Sequence, residues 1–311
     1  MPNTKRAWKA QHGQVSPTWP ASTDPFAREI RRFRKGRASL EYMAWGDRTL
    51  RPLVILQSLE YPGWPPVGFC EHAEAAGFRT ISVRRPGFGA NPPLTSMDAQ
   101  TGLVADFLSA EGIEGAVVVS NGTANSIGQR LVLSGCPRID FSVFANCGFN
   151  YEQMGEFRPE WFARTLEQAL RNPAGARLSL MALKSSWGIF GHTWVYENMW
   201  AKSPGDLAFL RDHPELMGEV IEMLLARLDV PTFILELSAA LDRDPILADG
   251  CFQDVPAITV SGTETSDTWK AGVETEAARI GLPPVVYLPS GDTQVLYQSA
   301  GDFIASLCRN L

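Results

Sequence analysis

From about residue 39 onward the chain alternates short β-rich apolar runs with helical patterns, and that rhythm restricts the fold more than any other feature. The runs fall at 40–45, 53–57, 80–84, 116–120, 141–145, 257–261 and 285–288. Several are continuously apolar, as strands covered on both faces require. Helical patterns lie between them at 67–76, 97–110, 123–134, 267–280 and 294–308. Strand and helix in alternation predict an α/β fold with a doubly wound, mostly parallel sheet.

The rhythm stops between about 150 and 250, where helical segments follow one another without a strand signal. Trp161, Phe162, Trp187, Phe190, Trp194, Tyr196 and Trp200 concentrate there. Such a block reads as an inserted helical lid over a pocket, with most of these rings forming the lid's own core. The expected division is a basic N-terminal arm at 1–37, the first part of the core at 38–150, the lid at 151–250 and the last part of the core at 251–311. Residues 26–33 predict a short basic helix within the arm.

Charge is placed unevenly. Residues 1–37 hold nine Lys/Arg against Asp24 and Glu29, so an arm of +7 precedes a body of −13 within a total of −6. Arg28, Arg31, Arg32, Arg34, Lys35 and Arg37 are the densest part of it. The arm is suited to a protein partner of acidic character, with nucleic acid, an anionic membrane or the chain's own acidic body as open alternatives. No apolar run reaches the roughly 18 residues of a bilayer crossing, and the polar start lacks a signal peptide's apolar segment, so a cytoplasmic location is expected. The five cysteines are scattered and no Cys/His/carboxylate cluster has metal spacing. No phosphate-cradling glycine loop is complete. Neither a metal nor a cofactor is expected.

Three stretches resemble the α/β-hydrolase family. Leu53-Val-Ile-Leu-Gln57-Ser58 is similar to the strand that ends in the family's His-Gly oxyanion segment, and Arg85-Pro86-Gly87-Phe88-Gly89 to its Pro-Gly-Phe/Tyr-Gly turn. Ala116-Val-Val-Val-Ser120-Asn121-Gly122-Thr123-Ala124 sits where the family has strand, nucleophile elbow G-x-S-x-G and helix. The resemblance also extends to the lid, including Ser203-Pro-Gly-Asp206.

Matched residue by residue, the resemblance implies Gly122 at the nucleophile, Asp292 at the histidine and Thr265 at the acid. The expectation is a degenerate member without the Ser-His-Asp triad. An elbow nucleophile sits at positive φ, which costs a serine about 1–3 kcal/mol and a glycine nothing. Removing a triad nucleophile or base typically costs about 10⁶ in turnover, so triad chemistry is not expected.

On these grounds no residue is assigned a triad role, and Gln57, Ser58, Gly122, Thr123 and Asp292 are the pocket candidates. The favoured expectation is a non-hydrolytic pseudoenzyme acting as a binding, scaffold or accessory subunit, with an apolar small-molecule pocket kept under the lid. Two alternatives stand beside it. One is an enzyme with Asp292 as acid or base and Gln57, Ser58 and the N–H groups after Gly122 as oxyanion donors. The other is an esterase whose nucleophile is displaced to Ser120, Ser126 or Ser290.

Overall fold

The fold was analysed in a computed structural model, which describes residues 30–59, 61, 63–151, 170, 172–191, 194, 197, 203–214 and 228–311. Eight strands form one sheet: β1 (Ile30–Lys35), β2 (Ala38–Trp45), β3 (Arg51–Leu56), β4 (Phe78–Arg84), β5 (Ala116–Asn121), β6 (Ile139–Ala145), β7 (Ala257–Gly262) and β8 (Val286–Leu288). Their order is β1-β2-β4-β3-β5-β6-β7-β8. β2 runs antiparallel to β1 and β4, and every other pair is parallel.

Crossover helices α1 (Val67–Ala75), α2 (Met97–Ala110) and α3 (Asn125–Leu133) cover the first parallel strands, and α7 (Asp267–Arg279), α8 (Val295–Gln298) and α9 (Ala300–Asn310) cover the last. The long pattern expected over 294–308 is interrupted at Ser299, whose φ of −107° and ψ of 37° are not helical, so α8 and α9 are separate.

Buried side chains alternate between the two faces of the sheet, as a period of two dictates. On β5, Val117 and Val119 join Phe69, Leu296 and Phe303 on one face. Val118 joins Phe107, Ile127 and Leu131 on the other. Enclosing such a side chain contributes about 1.5–3 kcal/mol, which makes β5 a firm base for whatever follows it.

Residues 30–33, expected as the end of a basic helix over 26–33, belong instead to the edge strand β1. Phe33 packs edge-on against Phe107 at 5.9 Å, and the two-residue turn Gly36-Arg37, with Gly36 at φ +60°, reverses the chain into β2. Cations along an edge strand discourage pairing with another chain. Arg32 pairs with Glu41 at 2.6 Å and Lys35 with Asp106, while Arg34 and Arg37 are exposed and Arg31 is half-buried. Arg28, with the rest of 1–29, lies outside the described residues.

Between β6 and β7 the described residues are helical: α4 (Pro173–Phe190), α5 (Pro204–Asp212) and α6 (Val230–Leu241). α5 and α6 are capped by Ser203 and Asp229, whose side chains accept from Asp206 N and Thr232 N, and each carries Pro in its first turn. Of the aromatic residues singled out in this block, Trp161, Phe162, Tyr196 and Trp200 and the side chain of Trp187 lie outside the described residues. Phe190 and Trp194 face solvent with ring centroids 4.5 Å apart, so these two rings are not lid core. No described helix is long and apolar enough to cross a membrane.

Candidate active site

The carboxyl ends of β3, β5, β7 and β8 converge where open α/β sheets place their ligand crevice. A pocket of about 800 Å³ opens there, and Gly122, Thr123, Thr265 and Asp292 all line it. The remaining wall carries polar side chains, among them Asn125, Ser126, Gln129 and Glu264, and the rings of Phe149, Tyr151 and Trp269. Polar groups that line a cavity need hydrogen-bonding partners, so this wall can receive the polar part of a ligand, while the rings and Leu247 offer it an apolar surface.

At the end of β5 the backbone leaves Asn121 in an extended conformation and enters Gly122 at φ +52°. A single 3-10 turn (Gly122–Ala124) then leads into α3. Asn125 ties this bend together: its Nδ2 donates to Gly122 O and Ala145 O, both at 2.8 Å, and its Oδ1 accepts from Ser120 Oγ at 2.9 Å. Ser120 is thereby fully enclosed, and α3 reaches it only because Gly128 has no side chain; a Cβ there would lie 2.4 Å from Ser120 Oγ.

Asp292 follows β8 through Gly291, which sits at φ +79°. The end of β7 approaches so closely that a Cβ on Gly262 would stand 1.8 Å from Gly291 O. Glycine at both positions lets the two strand ends meet. Thr265 then donates its hydroxyl to Asp292 Oδ1 at 2.8 Å. Asp292 itself is half-buried.

Thr123, next to Gly122, anchors a buried network that the sequence did not reveal. Its Oγ1 accepts from Leu59 N and from Arg85 Nη2, both at 3.1 Å, and donates to Glu236 of α6. The hydroxyl's one hydrogen and two lone pairs are all engaged. Arg85 grips Glu236 through both guanidinium nitrogens at 2.6 Å and donates Nε to Gln57 O at 2.7 Å. Both side chains of this ion pair are fully enclosed. A two-pronged Arg–carboxylate contact is the strongest neutralisation a buried carboxylate can find.

Gln57 and Ser58, expected as oxyanion donors, do not line the pocket. Gln57 is buried, its Nε2 donating to Ser82 Oγ at 3.1 Å and its Oε1 accepting from Tyr297 Oη at 2.8 Å. Ser58 Oγ accepts from Tyr61 N at 3.1 Å. The Gln57 amide is engaged at both ends, and Ser58 Oγ accepts one backbone N–H.

Ser126 lies on the wall but accepts from Arg130 Nη1 at 2.6 Å, and Ser290 makes contacts of 3.4 and 3.5 Å with Gln298 and Ser299. His72 lies in the last turn of α1 and His213 meets the Phe209 ring at a tilt, centroids 4.6 Å apart, and neither lines the pocket; His12 and His192 lie outside the described residues. Among the described residues no group of His, Cys, Asp and Glu is gathered so as to hold a metal ion. Cys147, on the pocket wall, is buried, and burial pushes its thiol up to about 12.

The chain has the α/β-hydrolase fold. It is similar to the Cif epoxide hydrolase of Acinetobacter nosocomialis, with a TM-score of 0.67 and 17% identity over 91% of this chain and 88% of that one. An epoxide hydrolase from Vigna radiata gives 0.63 and 15% over 91% and 98%, and the enol-lactonase of Burkholderia xenovorans 0.60 and 14% over 90% and 99%. No protein-family model and no curated protein matches the sequence. The expectation of a non-enzymatic scaffold or accessory subunit is corrected by these similarities. The solved structures that share the fold are enzymes by name.

Proposed function

We propose that the protein is an enzyme of the α/β-hydrolase fold that works by acid–base chemistry, with Asp292 as the group that exchanges a proton with a small polar substrate. In this reading the triad is degenerate: Gly122, Thr265 and Asp292 stand where the family has nucleophile, acid and histidine. The observation that carries it is the Thr265–Asp292 hydrogen bond at 2.8 Å on the wall of the pocket that Gly122 also lines.

Thr265 fixes the position of Asp292 Oδ1 as an acidic residue would fix the ring of a histidine. Gly122 bears no side chain to form a covalent intermediate, so the substrate would be held beside Asp292 by the polar wall. Glu236, locked to Arg85, is left to structure. The insertion carrying α4 to α6 acts as a lid in this reading.

The test is turnover on a panel of esters, lactones, epoxides and carbon acids by wild type, Asp292→Asn and Thr265→Val. General acid–base catalysis supplies about 10²–10⁴-fold, so D292N should lose at least a hundredfold in kcat on any substrate found, and T265V less. Wild-type turnover by D292N would overturn the proposal.

A further inference from the structure

The stretch Ser203-Pro-Gly-Asp206 opens α5 in the insertion, yet beyond its own helix the hydrogen bonds it makes among the described residues go to the core. Ser203 Oγ donates to Glu264 Oε2 at 2.7 Å, and Gly205 N donates to the same oxygen at 2.9 Å. Glu264 immediately precedes Thr265. Three residues on, the fully buried carboxylate of Asp206 takes the other loop. It accepts from Thr293 N at 2.9 Å, Gln294 N at 3.0 Å and Asp292 N at 3.3 and 3.4 Å, and from Gln298 Nε2. One turn of helix therefore grips the two loops whose side chains form the Thr265–Asp292 pair.

The fit leaves no slack. A Cβ on Gly205 would lie 2.7 Å from Glu264 Oε1 and 3.1 Å from Gly291 N, so a side chain there must displace the Glu264 carboxylate and press on the Gly291 backbone. An enclosed carboxylate among neutral donors is costly to desolvate unless its lone pairs are filled, and here successive backbone N–H groups fill them. Burial pushes the Asp206 carboxyl above its ordinary range, against the opposing pull of the Thr293, Gln294, Ser203 and Asp292 hydrogen bonds.

We propose that Asp206 is a positioning residue for Asp292, and that the Ser203–Asp206 turn makes the placement of the acid–base carboxylate conditional on the insertion being seated. The inference rests on the reading of Asp292 given above. Asp206 does not line the pocket, so it acts by fixing the backbone from which Asp292 projects, while the Glu264 contacts fix the loop of its Thr265 partner.

The test uses the full chain with ¹³C-labelled aspartate. The side-chain carboxyl signal of Asp292, assigned by its loss in D292N, is read in wild type, Asp206→Asn and Gly205→Ala, together with amide exchange at 292–294 and urea stability. In D206N the Asp292 signal should move, and exchange at 292–294 should accelerate about ten- to hundredfold, the consequence of losing hydrogen bonds to a charged acceptor. G205A, which keeps Asp206 but blocks its seating, should move the same signal and serves if D206N does not fold. An Asp292 signal unmoved in a folded variant overturns the assignment, whatever happens to stability. The signal is read without turnover, so failure here leaves the D292N kinetics standing, and wild-type kinetics in D292N leave the positioning intact.

Discussion

Replacing Glu236 by alanine should be among the most damaging single changes in the molecule. The pair it forms with Arg85 joins residues 151 apart in sequence, and neither side chain is exposed. Glu236→Ala would leave Arg85 Nη1 with Gln100 Oε1 at 3.5 Å and Nη2 with Thr123 Oγ1 at 3.1 Å, no carboxylate to balance the guanidinium charge, and the Thr123 hydroxyl without its acceptor. Breaking a buried ion pair by deleting one partner costs about 3–5 kcal/mol, because the remaining charge is uncompensated. With each tenfold in an equilibrium constant worth about 1.4 kcal/mol, the folded-to-unfolded ratio falls roughly 10²- to 10⁴-fold. Removing both charges is a different matter: an Arg85→Met, Glu236→Leu double variant fills similar volume without desolvating ions and should recover most of the loss. Urea denaturation of the two singles and the double closes the cycle. A cost below about 1 kcal/mol for E236A, or a double as unstable as the sum of its singles, would refute the reasoning.

Two further outcomes follow from the same geometry. Gly122→Ala places a side chain at φ +52° and should cost about 1–2 kcal/mol in urea denaturation, whereas unchanged stability would mean that the bend is not left-handed in solution. Burial pushes the Cys147 thiol up to about 12, so a maleimide should label exposed Cys308 and leave Cys147 untouched in the folded protein; rapid labelling of Cys147 would show that the pocket wall opens.

How far these features could be read from the residues depends on whether their causes are local. Continuous apolar runs mark the strands enclosed on both faces, so 116–120 and 257–261 differ from β5 and β7 by one residue. β1 escapes because its alternation is carried by Arg and Lys, with Phe33 as its large ring on the core. The bend at Gly122 is legible because only its neighbours and its backbone define it. The Arg85–Glu236 pair and the Asp206 clamp are not, since each joins the insertion to core residues 86 or more positions away. Nothing in the local pattern around Glu236 or Asp206 marks either as buried, and helix position alone would place both on a wet surface. Gln57 and Ser58 illustrate the converse error: polar residues at a strand end suggest a site, while Tyr297, Tyr61 and Ser82 had already claimed them.

The most direct measurement is the intact mass of the folded protein after exposure to a fluorophosphonate, the reagent that captures an activated serine. With only hydrogen on the Cα of Gly122 and proton exchange assigned to Asp292, the account predicts an unchanged mass alongside turnover that D292N abolishes. One phosphonyl group added to a single serine of the folded wild type would contradict it.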